Sequence, residues 1–227
     1  MRGSSINIQL ASRYSDFMMP LEGIRVLDLS RILAGPHAAQ SLSDLGADVI
    51  KVEAPWGDDS RTWGPPFQKG FDGAEVASYF LSCNRGKKIV FANLKNERER
   101  VRSLMDTVDV VIENFKPGAF DRLLGPVDAD LIVCSISGYG QEGPRRDEPA
   151  FDLTMQARSG IMSVTGEEGG PPAKVGVAWI DVMTGMNAVS SILACLLRRD
   201  RGGGGARIDI SLWDTAVSSL VNQGHNA

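Results

Sequence analysis

The chain has 227 residues, 43% hydrophobic and 23% charged, with a formal net charge of -4. That is the composition of an ordinary globular protein with room for one large domain, and its acidic balance argues against a nucleic-acid surface, which carries a basic face. Three scattered cysteines and two histidines provide no CxxC pair, no disulfide framework and no histidine-rich metal site, so no metal is expected.

Residues 1–19 are expected to be a flexible extension; Arg2, Arg13 and several serines give it a faint likeness to an organelle transit segment. Gly23 to Ser30 reads as a buried strand, Arg31 to Pro36 as a turn, and His37 to Leu45 as a helix stopped by Gly46. Asp48 to Glu53 is a second strand. Strand, helix and strand with short joints open a parallel α/β sheet. Pro55 to Gly73, rich in Gly, Pro, Asp and Trp, is expected to be a long irregular loop. Lys88 to Ala92 is a third strand, Asn96 to Val108 an amphipathic helix, and Asp109 to Glu113 a fourth strand. A turn over Asn114 to Gly118, a short helix over Ala119 to Leu124 and a fifth strand over Leu131 to Ile136 follow.

The repeated pattern predicts an α/β, doubly wound, mostly parallel sheet. The turns Arg31–Pro36, Asn114–Gly118 and Gly138–Gly143 then share the rim at the carboxyl ends of the strands, where such sheets bind ligands. Gly138 to Gly143 matches G-x-G-x-x-G, but Pro144 to Pro149 oppose the helix that a dinucleotide fingerprint requires, and no phosphate-loop motif occurs. No apolar run approaches the ~18 residues of a membrane span, so no membrane contact is expected. The scattered cysteines fit a reducing compartment, the cytoplasm or the mitochondrial matrix.

Phe151 to Gly160 is a predicted helix, and Met162 to Pro172 a Gly-rich connection. Val175 to Ile180 reads as an apolar strand that hands over, at Asp181, to a helix through Met183, Met186, Val189, Ile192, Leu193, Leu196 and Leu197. Two readings of Asp181 stand together on spacing alone. It is a helix N-cap, or it is a carboxylate nucleophile held ionised by the free N–H groups of the helix start. Gly202 to Gly205 form a joint, Ala206 to Ser211 a last strand, and Leu212 to Val221 a further helix.

Six stretches in order resemble the class III CoA-transferases, the family of formyl-CoA transferase and carnitine CoA-transferase. They are Pro20–Ser30, Leu33–Pro36, Leu45–Glu53, Glu113–Gly118, Ser137–Pro144 and Val175–Gly185, and the resemblance covers nearly everything after residue 20. It implies a Rossmann-like large domain over 20–201, with 202–227 leading towards a second, smaller domain that is absent. It also implies a CoA transfer from an acyl-CoA donor to a carboxylic acid, with no tightly bound cofactor. Asp181, followed by Thr184-Gly185 as in the family, takes the place of the nucleophile that carries an aspartyl-CoA intermediate. CoA is expected on the turn Arg31, Ile32, Leu33 and Ala34, on Arg85, Lys87 and Lys88, on Asn114, Phe115 and Lys116, and on Arg122. Lys87 and Lys88 read equally well as a solvated face, and Asp152, matched to an acidic position near the family's site, as a helix N-terminal acid.

Departures narrow the reading. Ala54 stands where formyl-CoA transferase has a CoA-contacting arginine, and Leu33 replaces its glutamine. Phe151 stands where the related α-methylacyl-CoA racemases place a histidine base, so a transferase is preferred to a racemase. Relatives are about twice as long and form interlocked homodimers. This chain therefore corresponds to a first half that needs a second, or to a non-catalytic CoA-binding domain. Members that use dicarboxylic acids are the best match, with Arg61 in the loop Gly57–Phe67 a candidate partner for a distal carboxylate.

Overall fold

Four apolar runs short enough for strands and buried on both faces build the middle of the molecule, as parallel sheets require. In the computed structural model, which describes residues 18–70 and 73–225, these are β1 (Arg25–Asp28), β2 (Asp48–Glu53), β6 (Val110–Glu113) and β7 (Ile132–Ser137). Two flanking strands, β5 (Lys88–Phe91) and β8 (Ala206–Ser211), complete a six-stranded sheet in the order β5-β2-β1-β6-β7-β8, parallel throughout. The expected N-terminal extension lies outside the described residues except for Met18 and Met19.

Helices cover both faces. On one side α1 (Ala34–Asp44), α6 (Trp179–Asp200), α5 (Asp152–Ser159) and α7 (Leu212–Ser218) enclose a core that includes Val26, Leu42, Ile112, Ile132, Met155, Ile180 and Ile192. On the other, α3 (Arg98–Met105) and α4 (Ala119–Leu124) cover Leu27, Val52, Val111 and Val133. The doubly wound architecture expected from the strand and helix alternation is the one observed. Strand order reverses between β1 and β6, and a crevice opens there beyond the carboxyl ends of the strands.

Several boundaries coincide with expectation: β2, α4 and β8 are as read, and Gly46 ends α1 with φ +105°. Others need correction. The loop 55–73 holds a 3-10 turn at Asp59–Thr62 and the strand β3 (Phe67–Lys69), which forms a hairpin with β4 (Glu75–Ala77); α2 (Ser78–Ser82) follows. Such three- to five-residue elements carry too little periodicity to be read. Val175 to Ile180 is not a strand. The Val175 N–H is taken by Gln156 Oε1 at 2.8 Å instead of a ladder partner, and Trp179 and Ile180 already belong to α6.

With 22 residues and an 18-residue window of mean hydropathy 1.6, α6 has the length and apolar character of a membrane span, against the reading that no such run exists. Here it is a core helix: Ile180, Thr184, Gly185, Ala188, Val189, Ile192 and Leu196 are buried, against α1 and the sheet. Gly185 permits the closest approach. A Cβ there would lie 2.8 Å from the Ala34 carbonyl oxygen and 3.1 Å from the His37 ring. His37 itself is half-buried, and burial, with Arg85 and Lys87 nearby, lowers its pKa. Gly185→Val should force α1 from α6 and destabilise the fold by about 2 kcal/mol or more. Chemical denaturation measures this, and an unchanged midpoint would contradict the contact.

Candidate active site

The crevice is built first by a turn. After β1 the chain runs through Leu29 and Ser30 to Arg31, Ile32 and Leu33, and α1 starts at Ala34. Ile32 adopts φ +73°, a left-handed conformation that a β-branched residue adopts only under constraint. The constraint is visible. The Ile32 N–H points at both carboxylate oxygens of Asp58, at 3.4 and 3.3 Å. The Asn114 side chain clamps Arg31 on both sides, accepting its N–H at 3.0 Å and donating to its carbonyl at 2.9 Å. This amide ties the turn after β6 to the turn after β1, across the point where strand order reverses.

Beneath the turn lies a buried ion network. Lys51 is fully enclosed, 3.2 Å from Asp58 and 3.8 Å from Asp28, and donates to the Ser30 carbonyl at 2.7 Å. Lys87 is also fully enclosed and donates to Asp28, the Pro36 carbonyl and Asn84 Oδ1, each at 2.8 Å. Burial alone would raise the Asp28 pKa, but the two lysines outweigh it and hold that carboxyl below its ordinary value. Burial lowers the Lys87 pKa against the pull of Asp28. Glu53 extends the network, accepting the Asp58 N–H at 2.9 Å and Nε and Nη2 of Arg61 at 2.7 and 2.8 Å.

Asp181 stands above this floor as the third residue of α6. The expectation that it caps the helix, or is held ionised by its free N–H groups, is corrected by its neighbour across the gap. Asp152 Oδ1 accepts from the N–H groups of Ile180 (2.7 Å) and Asp181 (3.1 Å), and its Oδ2 accepts from Gln156 at 2.6 Å. Asp152 therefore caps α6 from the start of α5. Asp181 is left with desolvation and a like charge beside it, and its pKa rises to about 7.

Two cavities meet at Asp181. One, of about 160 Å³, is lined by Arg31, Ile32, Leu33, Ala34, Asn114, Ser137, Gly138, Phe151 and Leu212. The other, of about 290 Å³, is lined by Ile32, Trp63, Tyr79, Phe151, Asp152, Lys174 and Val177. Gly138 lies against Ala150, where a Cβ would collide. Burial, with Asp181 and other acids nearby, pushes the Tyr79 phenol up to about 12, so it stays a proton donor. A third, mostly apolar cavity of about 310 Å³ lies beyond the ends of β2 and β5, lined by Arg31, Val52, Ala54, Trp56, Leu94, Lys95 and Phe115.

The expected binding residues therefore divide. Arg31 to Ala34, Asn114, Asp152 and Asp181 converge, and Phe115 joins Arg31 at the apolar cavity. Arg85 pairs with Asp44, and Lys88, 70% exposed, turns back to Asp48 at the amino end of β2, away from the crevice. For Lys87 the reading as a solvated face is wrong, and no phosphate can reach its enclosed ammonium. Lys116 is exposed outside these cavities, and Arg122 lines a separate hollow with Arg98 and Arg102. Arg61 is held by Glu53 and stacked over Phe80 at 3.8 Å, and it lines neither cavity at Asp181. Sequence reasoning missed Trp56, Leu94 and Lys95. The rule that placed the other turns on the rim applies equally to the turn after β5.

Two tests follow. Lys51→Met strips Asp58 of its enclosed cation and should cost about 3–5 kcal/mol of stability, read from urea melts; a cost below ~1 kcal/mol would remove the network from its structural role. For Asp181, a carboxyl whose folded pKa is raised binds protons more tightly when folded, so its contribution is favourable in acid and declines as pH rises from about 4, the unfolded value, through about 7. The melting temperature of Asp181→Asn should therefore gain on the unmodified chain between pH 5 and pH 8. A constant difference would mean that Asp181 is not desolvated.

Comparisons with known proteins show the family and the fold. The model of "CoA-transferase family III" matches residues 21–227. The chain is 48% identical to the succinate–glutarate CoA-transferase of Agrobacterium fabrum, over 91% of this chain and 54% of that one. It is 46% identical to the succinyl-CoA:glutarate CoA-transferase of Mus musculus, over 93% and 49%. A crystal structure of a CAIB/BAIF family protein from Brucella suis superposes with a TM-score of 0.88 at 46% identity, covering 92% of this chain and 57% of that one. The chain thus spans about half the length of the curated relatives it matches. On the family match and these identities, the chain belongs to CoA-transferase family III.

Proposed function

We propose that this chain carries the acyl-accepting half of a CoA-transferase that exchanges CoA between carboxylic acids, with Asp181 as the covalent relay. The observation that carries the reading is the position of Asp181, a carboxyl with a pKa near 7 facing two adjoining cavities. A carboxyl of that pKa is substantially ionised near neutrality, yet more basic, and so more nucleophilic, than an exposed aspartate.

The chemistry balances without an outside reagent. An Asp181 carboxylate oxygen attacks the thioester carbonyl; the C–S bond breaks and CoA leaves as the thiolate, giving a mixed anhydride. The thiolate then attacks the aspartyl carbonyl, releasing the donor acid as its carboxylate and leaving an aspartyl-CoA thioester. The acceptor carboxylate repeats both steps in reverse, and Asp181 is regenerated. CoA lies along the crevice in this reading. Its adenosine enters the apolar cavity, and Arg31 and Lys95 there supply cations for its phosphates. Phe151 at the mouth of both cavities has no proton to move, which disfavours racemisation. Relatives named for succinate and glutarate support dicarboxylic acids as the substrate class.

The test is trapping. The chain is incubated with succinyl-CoA, quenched with hydroxylamine and mapped by mass spectrometry. A hydroxamate is expected on Asp181, absent from Asp181→Asn, with a yield that rises with pH around 7. An unmodified Asp181, also after addition of the second half of a family member, would reject the nucleophile.

A further inference from the structure

Arg61, the expected partner of a distal carboxylate, is held by Glu53 and lines neither cavity at Asp181, which leaves open what recognises the far end of a dicarboxylic acid. The larger cavity at Asp181 has apolar walls from Ile32, Trp63, Phe151 and Val177, suited to a short methylene chain, and an acid at one end. Among the described residues its lining contains one cation, Lys174. Lys174 is exposed, and among the described residues its ammonium donates to the carbonyl of its chain neighbour Val175, at 3.3 Å, and pairs with no carboxylate. Arg31, the cation lining the smaller cavity, is paired with Asp59 at 3.3 Å and also lines the apolar cavity, where it serves the CoA phosphates in the reading above.

The backbone beside Lys174 is fixed. Val175 donates to Gln156, Gln156 donates to Asp152, and Asp152 caps the helix that bears Asp181. One chain of hydrogen bonds therefore sets the lysine's attachment point relative to the reacting carboxyl. Two acids, Asp152 and Asp181, face the same cavity, so a dianionic substrate enters against repulsion unless a cation receives its second charge.

We infer that Lys174 is a specificity-determining residue: its ammonium pairs with the distal carboxylate of a C4–C5 dicarboxylic acyl group while the proximal carbonyl meets Asp181. The assignment rests on the proposed relay at Asp181. It adds the means by which the same cavity selects dicarboxylic over monocarboxylic acids.

The experiment compares hydroxamate formation on the unmodified chain, Lys174→Met and Lys174→Arg, each given succinyl-CoA or butyryl-CoA. Lys174→Met should lose about tenfold or more with succinyl-CoA and stay within about twofold with butyryl-CoA, the loss of one charge-assisted hydrogen bond. Lys174→Arg should keep the preference. A preference that survives in Lys174→Met overturns the inference. If no variant yields hydroxamate with either thioester, also after addition of the second half of a family member, the relay fails, and binding of free glutarate and butyrate decides Lys174, followed at the Trp63 indole N–H by NMR. Weaker glutarate binding in Lys174→Met, with butyrate unchanged, sustains the lysine's role. Equal or undetectable glutarate binding in both chains rejects it.

Discussion

Two lysines without access to solvent lie beneath the crevice, and the shape of the site depends on how their charge is met. Removing an ammonium from water is costly, and the cost is offset only when acids and carbonyls are arranged around it. Lys51 and Lys87 draw Asp28, Asp58, Ser30 and Pro36 into that arrangement. These groups come from the end of β1, the start of α1 and the segment after β2. Satisfying the lysines therefore brings together the pieces that carry the turn. Asp58 is held by Lys51 and in turn holds the Ile32 N–H, which keeps Ile32 in its left-handed conformation. Local strain in the turn is sustained by electrostatics below it.

Asp152 has a similar double role on the opposite wall. A helix start leaves N–H groups without partners, and a carboxylate is a good cap for them. Two donors at the start of α6, the N–H groups of Ile180 and Asp181, go to Asp152, one helix away, and not to the Asp181 carboxylate. The helix is stabilised, and Asp181 is kept from the donors that would have lowered its pKa. A stable helix start and a basic carboxyl beside it follow from one assignment of hydrogen bonds.

The sheet was readable because its signal is intrinsic: parallel strands buried on both faces are short apolar runs, and glycine closes the helix between them. Asn114 and the 31–34 turn could be placed on the rim because they follow strands, whereas Asp181 was singled out as the carboxylate where an apolar run meets a helix. What was not readable depends on partners distant in sequence. Val175 to Ile180 has a strand's composition, but Gln156 claims the N–H that a ladder would need. Lys87 and Lys88 are adjacent and chemically alike, yet one is enclosed and the other 70% exposed. Arg61 looked free because its partner Glu53 ends a strand eight residues earlier, where nothing in the spacing indicates a bidentate pair.

The shared use of Asp152 also bears on local motion. If α5 lifts from the body of the protein, the cap on α6 leaves with it, and Asp181 loses both its like-charged neighbour and part of its desolvation. Its pKa then falls towards that of an ordinary aspartate, and a proton is released. Opening of α5 and proton release are thus linked, so alkaline conditions favour the opening and acid opposes it. The amides of α5 should exchange with solvent according to the protonation state of a residue on a different helix, and the acidity of that residue in turn reports whether α5 is docked.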